Sequence, residues 1–64
     1  MIQNNSNDKV EVRKVYYRSG ALWRETPYVN GVKRGIEKWY EIATLNIVCL
    51  TLYDNYQRVA SVKI

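Results

Sequence analysis

Histidine is missing from this 64-residue sequence, and cysteine occurs once, at Cys49. One cysteine cannot form a disulfide within the chain, and without histidine there are no Cys/His clusters of the kind that bind zinc. A serine or cysteine nucleophile would also lack the imidazole base that usually activates it. Cys49 lies in the most apolar stretch, which indicates a structural thiol. We therefore expect no catalytic residue, no metal site and no cofactor, and a protein that is not an enzyme.

Two other patterns could carry chemistry, and both have a simpler interpretation. Glu37 and Glu41 are spaced as a carboxylate pair, but they alternate with Trp39 in the way solvated acids do, so we predict that they face water. Gly31 and Gly35 flank two basic residues, yet no Gly-Lys-Ser/Thr element follows, so they are interpreted as turn glycines and not as a phosphate loop.

The chain also lacks a long apolar run. The most apolar stretch, residues 42–53, is shorter than the ~20 residues of a membrane-spanning helix. The first eight residues have neither the basic nor the apolar region of a secretory signal. We expect no membrane association and a cytoplasmic location. The net charge of +4 is divided evenly between the two halves of the chain, so neither half is a basic arm.

A chain of this size is difficult to stabilise alone. A domain of about 60 residues buries only about 60% of the surface that its unfolded chain exposes. Because the composition excludes an internal disulfide and a zinc cluster, self-association is the remaining support. A homodimer, or a complex with another protein, is therefore expected.

Alternating and β-branched residues predict strands along most of the chain. Residues 1–9 are polar and Asn-rich and are predicted to be a disordered tail, followed by one small β domain over residues 10–64. Strands are predicted at 10–17, 21–29, from 32 onward, at 46–53 and at 56–64. Their connecting turns are predicted at Ser19-Gly20, Asn30-Gly31 and Asp54-Asn55, and Asn-Gly is typical of a type I′ hairpin.

Two of the predicted strands need further comment. Residues 36–45 fit a strand or a short helix, and their aromatic content favours the strand. Pro27 lacks an N–H and is expected either to place its strand at an edge or to end its pairing. In the same strand, alternation puts Leu22 and Tyr28 on one face and Trp23 on the other. The fold predicted from these elements is an all-β antiparallel meander of about five strands, which a small barrel would free of exposed edges.

A weak internal repeat suggests how the hairpins are related. At an offset of 23 residues, Tyr16-Tyr17 falls on Trp39-Tyr40 and Leu22 falls on Leu45. The stretch between them contains Tyr16-Tyr17-Arg18-Ser19-Gly20-Ala21-Leu22 and then Glu25-Thr26-Pro27-Tyr28-Val29-Asn30-Gly31-Val32-Lys33-Arg34-Gly35-Ile36-Glu37-Lys38-Trp39-Tyr40.

Over residues 16–40 this pattern resembles the bacterial variant of the MORN repeat, which also occurs in a family labelled as antitoxin components. The shared features are an aromatic pair, a Ser-Gly turn, a Glu-x-Pro-Tyr-x-Asn-Gly hairpin, a glycine four residues later and the next aromatic pair. The resemblance implies a hairpin-built interaction module and not an enzyme. The sequence departs from the pattern after Tyr40, because no glycine follows Gly35. A single complete repeat would need to be capped by the C-terminal hairpin or by a second chain.

Aromatic and basic residues interleave along the middle of the chain, and two functions fit this pattern. The first is a protein interface, because Tyr, Trp and Arg are enriched at interfaces. The second is a small OB-like or SH3-like barrel that stacks single-stranded nucleic acid on Tyr and Trp beside Lys and Arg. Since the chain has no phenylalanine, Tyr and Trp must also fill its core, which favours the first function. The predicted interface residues are Trp23, Tyr28, Trp39 and Tyr40, with Arg24 and Arg34 at the rim.

Overall fold

The computed structural model describes residues 8–64, which form six antiparallel strands in one sheet. The strands are β1 (Val10–Tyr16), β2 (Leu22–Val29), β3 (Val32–Lys33), β4 (Gly35–Tyr40), β5 (Ile47–Asp54) and β6 (Gln57–Lys63). The order across the sheet is β1-β2-β4-β5-β6, and the short β3 also pairs with β2. The prediction of an all-β antiparallel meander is confirmed. The sheet stays open, with β1 and β6 as its two edges, so it does not close into a small barrel.

The chain start predicted as a tail lies mostly outside the described residues, which begin at Asp8. Asp8 and Lys9 are both bonded to the β2–β3 turn. The backbone N–H of Lys9 donates to Asn30 Oδ1 at 2.8 Å, and Asn30 Nδ2 donates to Asp8 Oδ1 at 3.0 Å. This contact fixes the beginning of β1 beside the turn that ends β2.

Two hairpin turns use left-handed backbone conformations. Asn30 (φ 53°) and Gly31 (φ 79°) form the predicted two-residue turn between β2 and β3, as a type I′ geometry requires. The β5–β6 turn is one residue later than predicted, at Asn55 (φ 54°) and Tyr56 (φ 70°). Tyr56 N–H donates to Lys33 O and its hydroxyl donates to Gly31 O, so the two turns are joined.

The pairing of β2 is interrupted at Pro27. β2 is an interior strand, so the expectation of an edge is wrong, but its pairing with β4 stops after Glu25 and resumes with β3 at Tyr28. Gly35 lies beside Pro27 with φ of 113°, and a Cβ on Gly35 would be 3.0 Å from Pro27 Cγ. The missing N–H of proline and the missing Cβ of glycine therefore coincide at the break between the β2–β4 and β2–β3 pairings.

Residues 36–45 divide into a strand and a loop. β4 ends at Tyr40, and residues 41–46 turn back to β5 with Leu45 N–H bonded to Glu41 O at 2.8 Å. The alternative of a short helix is wrong because residues 35–40 are fully engaged in pairing with β5.

The β1–β2 and β4–β5 hairpins each contain a register shift near the end of their first strand. The shift lies between Val15 and Tyr16 in β1 and between Trp39 and Tyr40 in β4. Tyr16 and Tyr40 are 24 residues apart, whereas their partners Leu22 and Ile47 are 25 residues apart. The two hairpins are therefore similar without a constant offset.

Candidate interaction faces

Strand alternation separates the side chains of the sheet into two faces of different composition. We define the apolar face by a row that the register places side by side across the strands: Val12, Pro27, Ile36, Leu52 and Ala60, with Leu50 and Val62 next to it. We define the aromatic face by the residues that point the other way: Trp23, Arg24, Thr26, Tyr28, Glu37, Trp39, Thr51 and Tyr53.

The apolar face is uncovered. Ile36 is 51% exposed, Leu52 is 41% exposed and Val62 is 58% exposed. Among residues 8–64 no apolar side chain is buried, and the buried residues are Thr26, Glu37 and Thr51, all on the aromatic face. This distribution is the reverse of an ordinary domain, in which apolar side chains fill the interior.

Three charged residues lie beside the apolar row, and two of them, Lys14 and Glu25, are paired with each other. Lys14, Glu25 and Lys38 form the next row across β1, β2 and β4. Glu25 lies 3.9 Å from Lys14 Nζ and accepts a hydrogen bond from the Tyr40 hydroxyl. That hydrogen bond, with burial and the negative charge of Glu25, raises the pKa of Tyr40 above its ordinary value.

An open groove of ≈ 290 Å³ lies on this face beside Pro27, where the pairing of β2 with β4 stops. It is lined by Val12, Pro27, Gly35 and Ile36, with Glu25 and Lys38 at its polar end. Because Gly35 has no side chain, the groove reaches the backbone of β4. It is a depression into which an aliphatic side chain from outside can fit.

The aromatic face is organised around the buried carboxylate of Glu37, which is 1% exposed. Glu37 accepts hydrogen bonds from the Thr26 hydroxyl at 2.6 Å and from Trp39 Nε1 at 3.0 Å, and Lys33 Nζ lies 3.9 Å away. The prediction that Glu37 faces water is wrong. Its neighbours satisfy the carboxylate, which a buried charge requires; Glu41 is exposed, as predicted.

Cations lie over several rings on the same face. The Arg24 guanidinium is 5.2 Å from the Trp23 ring and 5.0 Å from the Trp39 ring, and the two indoles meet edge to face at 5.7 Å. Arg13 lies 3.8 Å above the ring of Tyr28, and Lys33 lies 4.3 Å from the ring of Tyr53. Each of these rings therefore has a cation of the same chain near one of its faces.

Trp23 reaches this face through a register shift. The pairing moves from Val15↔Arg24 to Tyr16↔Leu22, which leaves Trp23 as the extra residue. The prediction that Trp23 and Tyr28 lie on opposite faces is therefore wrong, because simple alternation does not account for a bulge.

The six predicted interface residues do not form one surface. Trp23, Arg24, Tyr28 and Trp39 lie on the aromatic face. Tyr40 lies on the opposite face, and Arg34 lies in the β3–β4 link, where its Nε is 3.3 Å from Asp54 Oδ1. The apolar row was not predicted as a site, although period-2 alternation in β4, β5 and β6 is a signal that could have revealed it.

Potential metal ligands and the single cysteine are located among the described residues. No group of three or more His, Cys, Asp or Glu side chains among residues 8–64 could hold a metal ion. Cys49 is a free thiol beside the hydroxyls of Thr51 and Ser61. No helix within the described part of the chain is long and apolar enough to cross a membrane.

No family model, curated protein or solved structure matches this chain.

Proposed function

We propose that this chain is a small non-catalytic protein-interaction module of the MORN-variant type, and that it binds another protein through its apolar face. The observation that carries the proposal is the reversed distribution of side chains. Every buried residue among positions 8–64 is polar, while the apolar row from Val12 to Ala60 faces outward.

The physical reason is the energy of uncovered apolar surface. Burial of apolar area contributes about 25 cal/mol per Å², and soluble domains normally consist of at least two packed layers. A single sheet has one layer. Contiguous apolar patches that remain outside mark interaction sites, and this face contains no carboxylate without a partner, because Glu25 is bonded to Lys14 and Tyr40.

The resemblance to MORN-type hairpins supports the same function. The β1–β2 and β4–β5 hairpins lie side by side in the sheet, and each contains a register shift near the end of its first strand. An array of this kind buries its surface only when further units or another chain are added.

Photo-crosslinking from each face tests the proposal. A benzophenone amino acid replaces Lys38 at the centre of the apolar face, and in a matched variant it replaces Lys63, which pairs with Cys49 and lies on the aromatic side. We expect protein adducts from position 38 in cells that express the chain, and far fewer from position 63. Absence of adducts from position 38 would overturn the proposal.

Binding of single-stranded nucleic acid is the competing function, and an oligonucleotide-binding assay distinguishes it from the interaction module. Bases stack on free aromatic faces. In this structure Arg13 lies over the ring of Tyr28, and Arg24 lies near the rings of Trp23 and Trp39. We expect no binding of a fluorescent single-stranded oligonucleotide at low salt. Binding that weakens with salt and is lost in Trp39→Ala would replace the interaction module as the function.

A further inference from the structure

We infer that the occupant of the apolar face is a second copy of this chain, which packs face to face on the first as the missing second layer. The inference rests on the proposed function and names its partner. It is carried by the size of the face, the positions of the charges and the condition of the sheet edges.

The face is large enough for a stable dimer. Five strands spaced about 4.8 Å apart, each about seven residues long at about 3.3 Å per residue, cover roughly 550 Å² per copy. Two copies would bury about 1,100 Å² when the face is counted as flat, and biological interfaces exceed about 1,000 Å² in total. Two sheets of equal size also cover each other without leaving apolar area outside.

Several cations of the chain lie away from this face. Each copy has a net charge of +4, so two copies repel. In a face-to-face dimer Arg13, Arg24 and Lys33 lie on the outer surfaces, beyond two sheets stacked about 10 Å apart. That separation exceeds the Debye length of about 8 Å at physiological salt, so the repulsion between these groups is screened. Lys14 and Lys38 remain on the face itself, with Glu25 between them in the register.

The edges of the sheet are less suited to pairing. β1 carries Arg13 and Lys14, and β6 carries Arg58 and Lys63, which are the kinds of residue that protect natural edge strands. Pairing of β6 with its own copy would bring like charges together across neighbouring strands, because β6 has no acidic residue. β1 also carries Glu11. The apolar face, in contrast, presents an aliphatic row to its twin, with Lys14, Glu25 and Lys38 in the row beside it.

A two-fold axis between the sheets gives each copy the same contact. An isologous interface requires that a patch be complementary to itself. The groove beside Pro27 and Gly35 supplies the concave part, and the exposed side chains of Leu52 and Val62 supply the convex part. Closure by two-fold symmetry also ends the assembly at two copies.

Light scattering over a concentration series tests the inference on the complete chain and on a matched pair of variants. Ile36→Lys places a charge in the middle of the apolar face, and Ile42→Lys places the same charge at a similarly exposed position in the β4–β5 loop. We expect a dimer for the parent and for Ile42→Lys. The dissociation constant of Ile36→Lys should rise about 30-fold or more, the loss expected at a central interface residue. Circular dichroism of the variants checks that the strands remain.

The outcomes separate the second copy from the broader function. A parent that remains a monomer, or a dimer unaffected by Ile36→Lys, overturns the inference. If that monomer still gives adducts with another protein from position 38, the interaction module stands and its partner is a different chain. If position 38 gives no adduct at all, both fail. Adducts of twice the chain mass from position 38 support both.

Discussion

The Thr26 hydroxyl donates a 2.6 Å hydrogen bond to Glu37 Oε2 across neighbouring strands, and both side chains are buried. A bond between a hydroxyl and a carboxylate is stronger than one between neutral groups. Here it joins β2 to β4 next to the point at which their backbone pairing stops. The bond therefore holds β2 and β4 together just beyond their last backbone pair.

Replacement of Glu37 by Gln tests the contribution of this carboxylate. The amide keeps the shape but loses the charge that attracts Lys33 and strengthens the bonds from Thr26 and Trp39. We expect the free energy of unfolding, measured by urea denaturation, to fall by about 1–3 kcal/mol. Glu11→Gln is the control, because Glu11 pairs with Arg13 where both are exposed and such pairs contribute about 0–1 kcal/mol. Equal losses in the two variants would contradict a special role for Glu37.

Gly35 is expected to be the least replaceable turn glycine. Alanine there must adopt φ of 113° and place its Cβ 3.0 Å from Pro27 Cγ, whereas Gly20 has φ of 96° and open space around it. Gly35→Ala should lower the free energy of unfolding by about 2–3 kcal/mol and Gly20→Ala by about 1 kcal/mol. Thermal unfolding of both variants measures the difference, and a Gly20→Ala variant that is the less stable of the two would refute the contact.

The hydroxyl of Tyr56, which joins the two hairpin turns, is expected to stabilise the fold. Tyr56→Phe removes the 2.6 Å hydrogen bond to Gly31 O without changing the ring. We expect a loss of about 0.5–1.5 kcal/mol and faster amide hydrogen exchange in the β5–β6 turn. Tyr16→Phe, on a ring of similar exposure, should change neither quantity by more than a few tenths of a kcal/mol. If both substitutions act alike, the contact between the turns does not stabilise the fold.

The phenol of Tyr40 makes stability sensitive to alkaline pH. Its hydrogen bond to Glu25 raises its pKa in the folded state, while the unfolded value is about 10. The neutral phenol is therefore favoured by folding. Its contribution is complete below about pH 10 and is lost as the pH rises through the higher folded pKa. Ultraviolet titration should show one late-titrating phenol that disappears in Tyr40→Phe and shifts to lower pH in Glu25→Gln; an unchanged titration curve would argue against this bond.

Local features of the fold could be predicted because they depend on neighbouring residues. The Asn30-Gly31 turn follows from the tolerance of both residues for positive φ, and the strands follow from alternation and β-branched side chains. The bulge at Trp23 could not be predicted, because it depends on the register that β1 adopts against β2. The prediction that Trp23 and Tyr28 lie on opposite faces is therefore wrong.

The sequence by itself determined the all-β class of residues 10–64, because alternation, β-branched side chains and turn chemistry favour antiparallel hairpins there; for residues 36–45 it left a short helix open. Only the tertiary structure decided which face is covered. Both faces carry large side chains, so alternation alone does not distinguish them. The choice depends on the bond from Thr26 on β2 to Glu37 on β4, which helps to bury a carboxylate while Ile36 and Leu52 stay outside. This bond joins residues on different strands, and its energy exists only after the strands have paired. The second bond to Glu37, from Trp39, lies within β4.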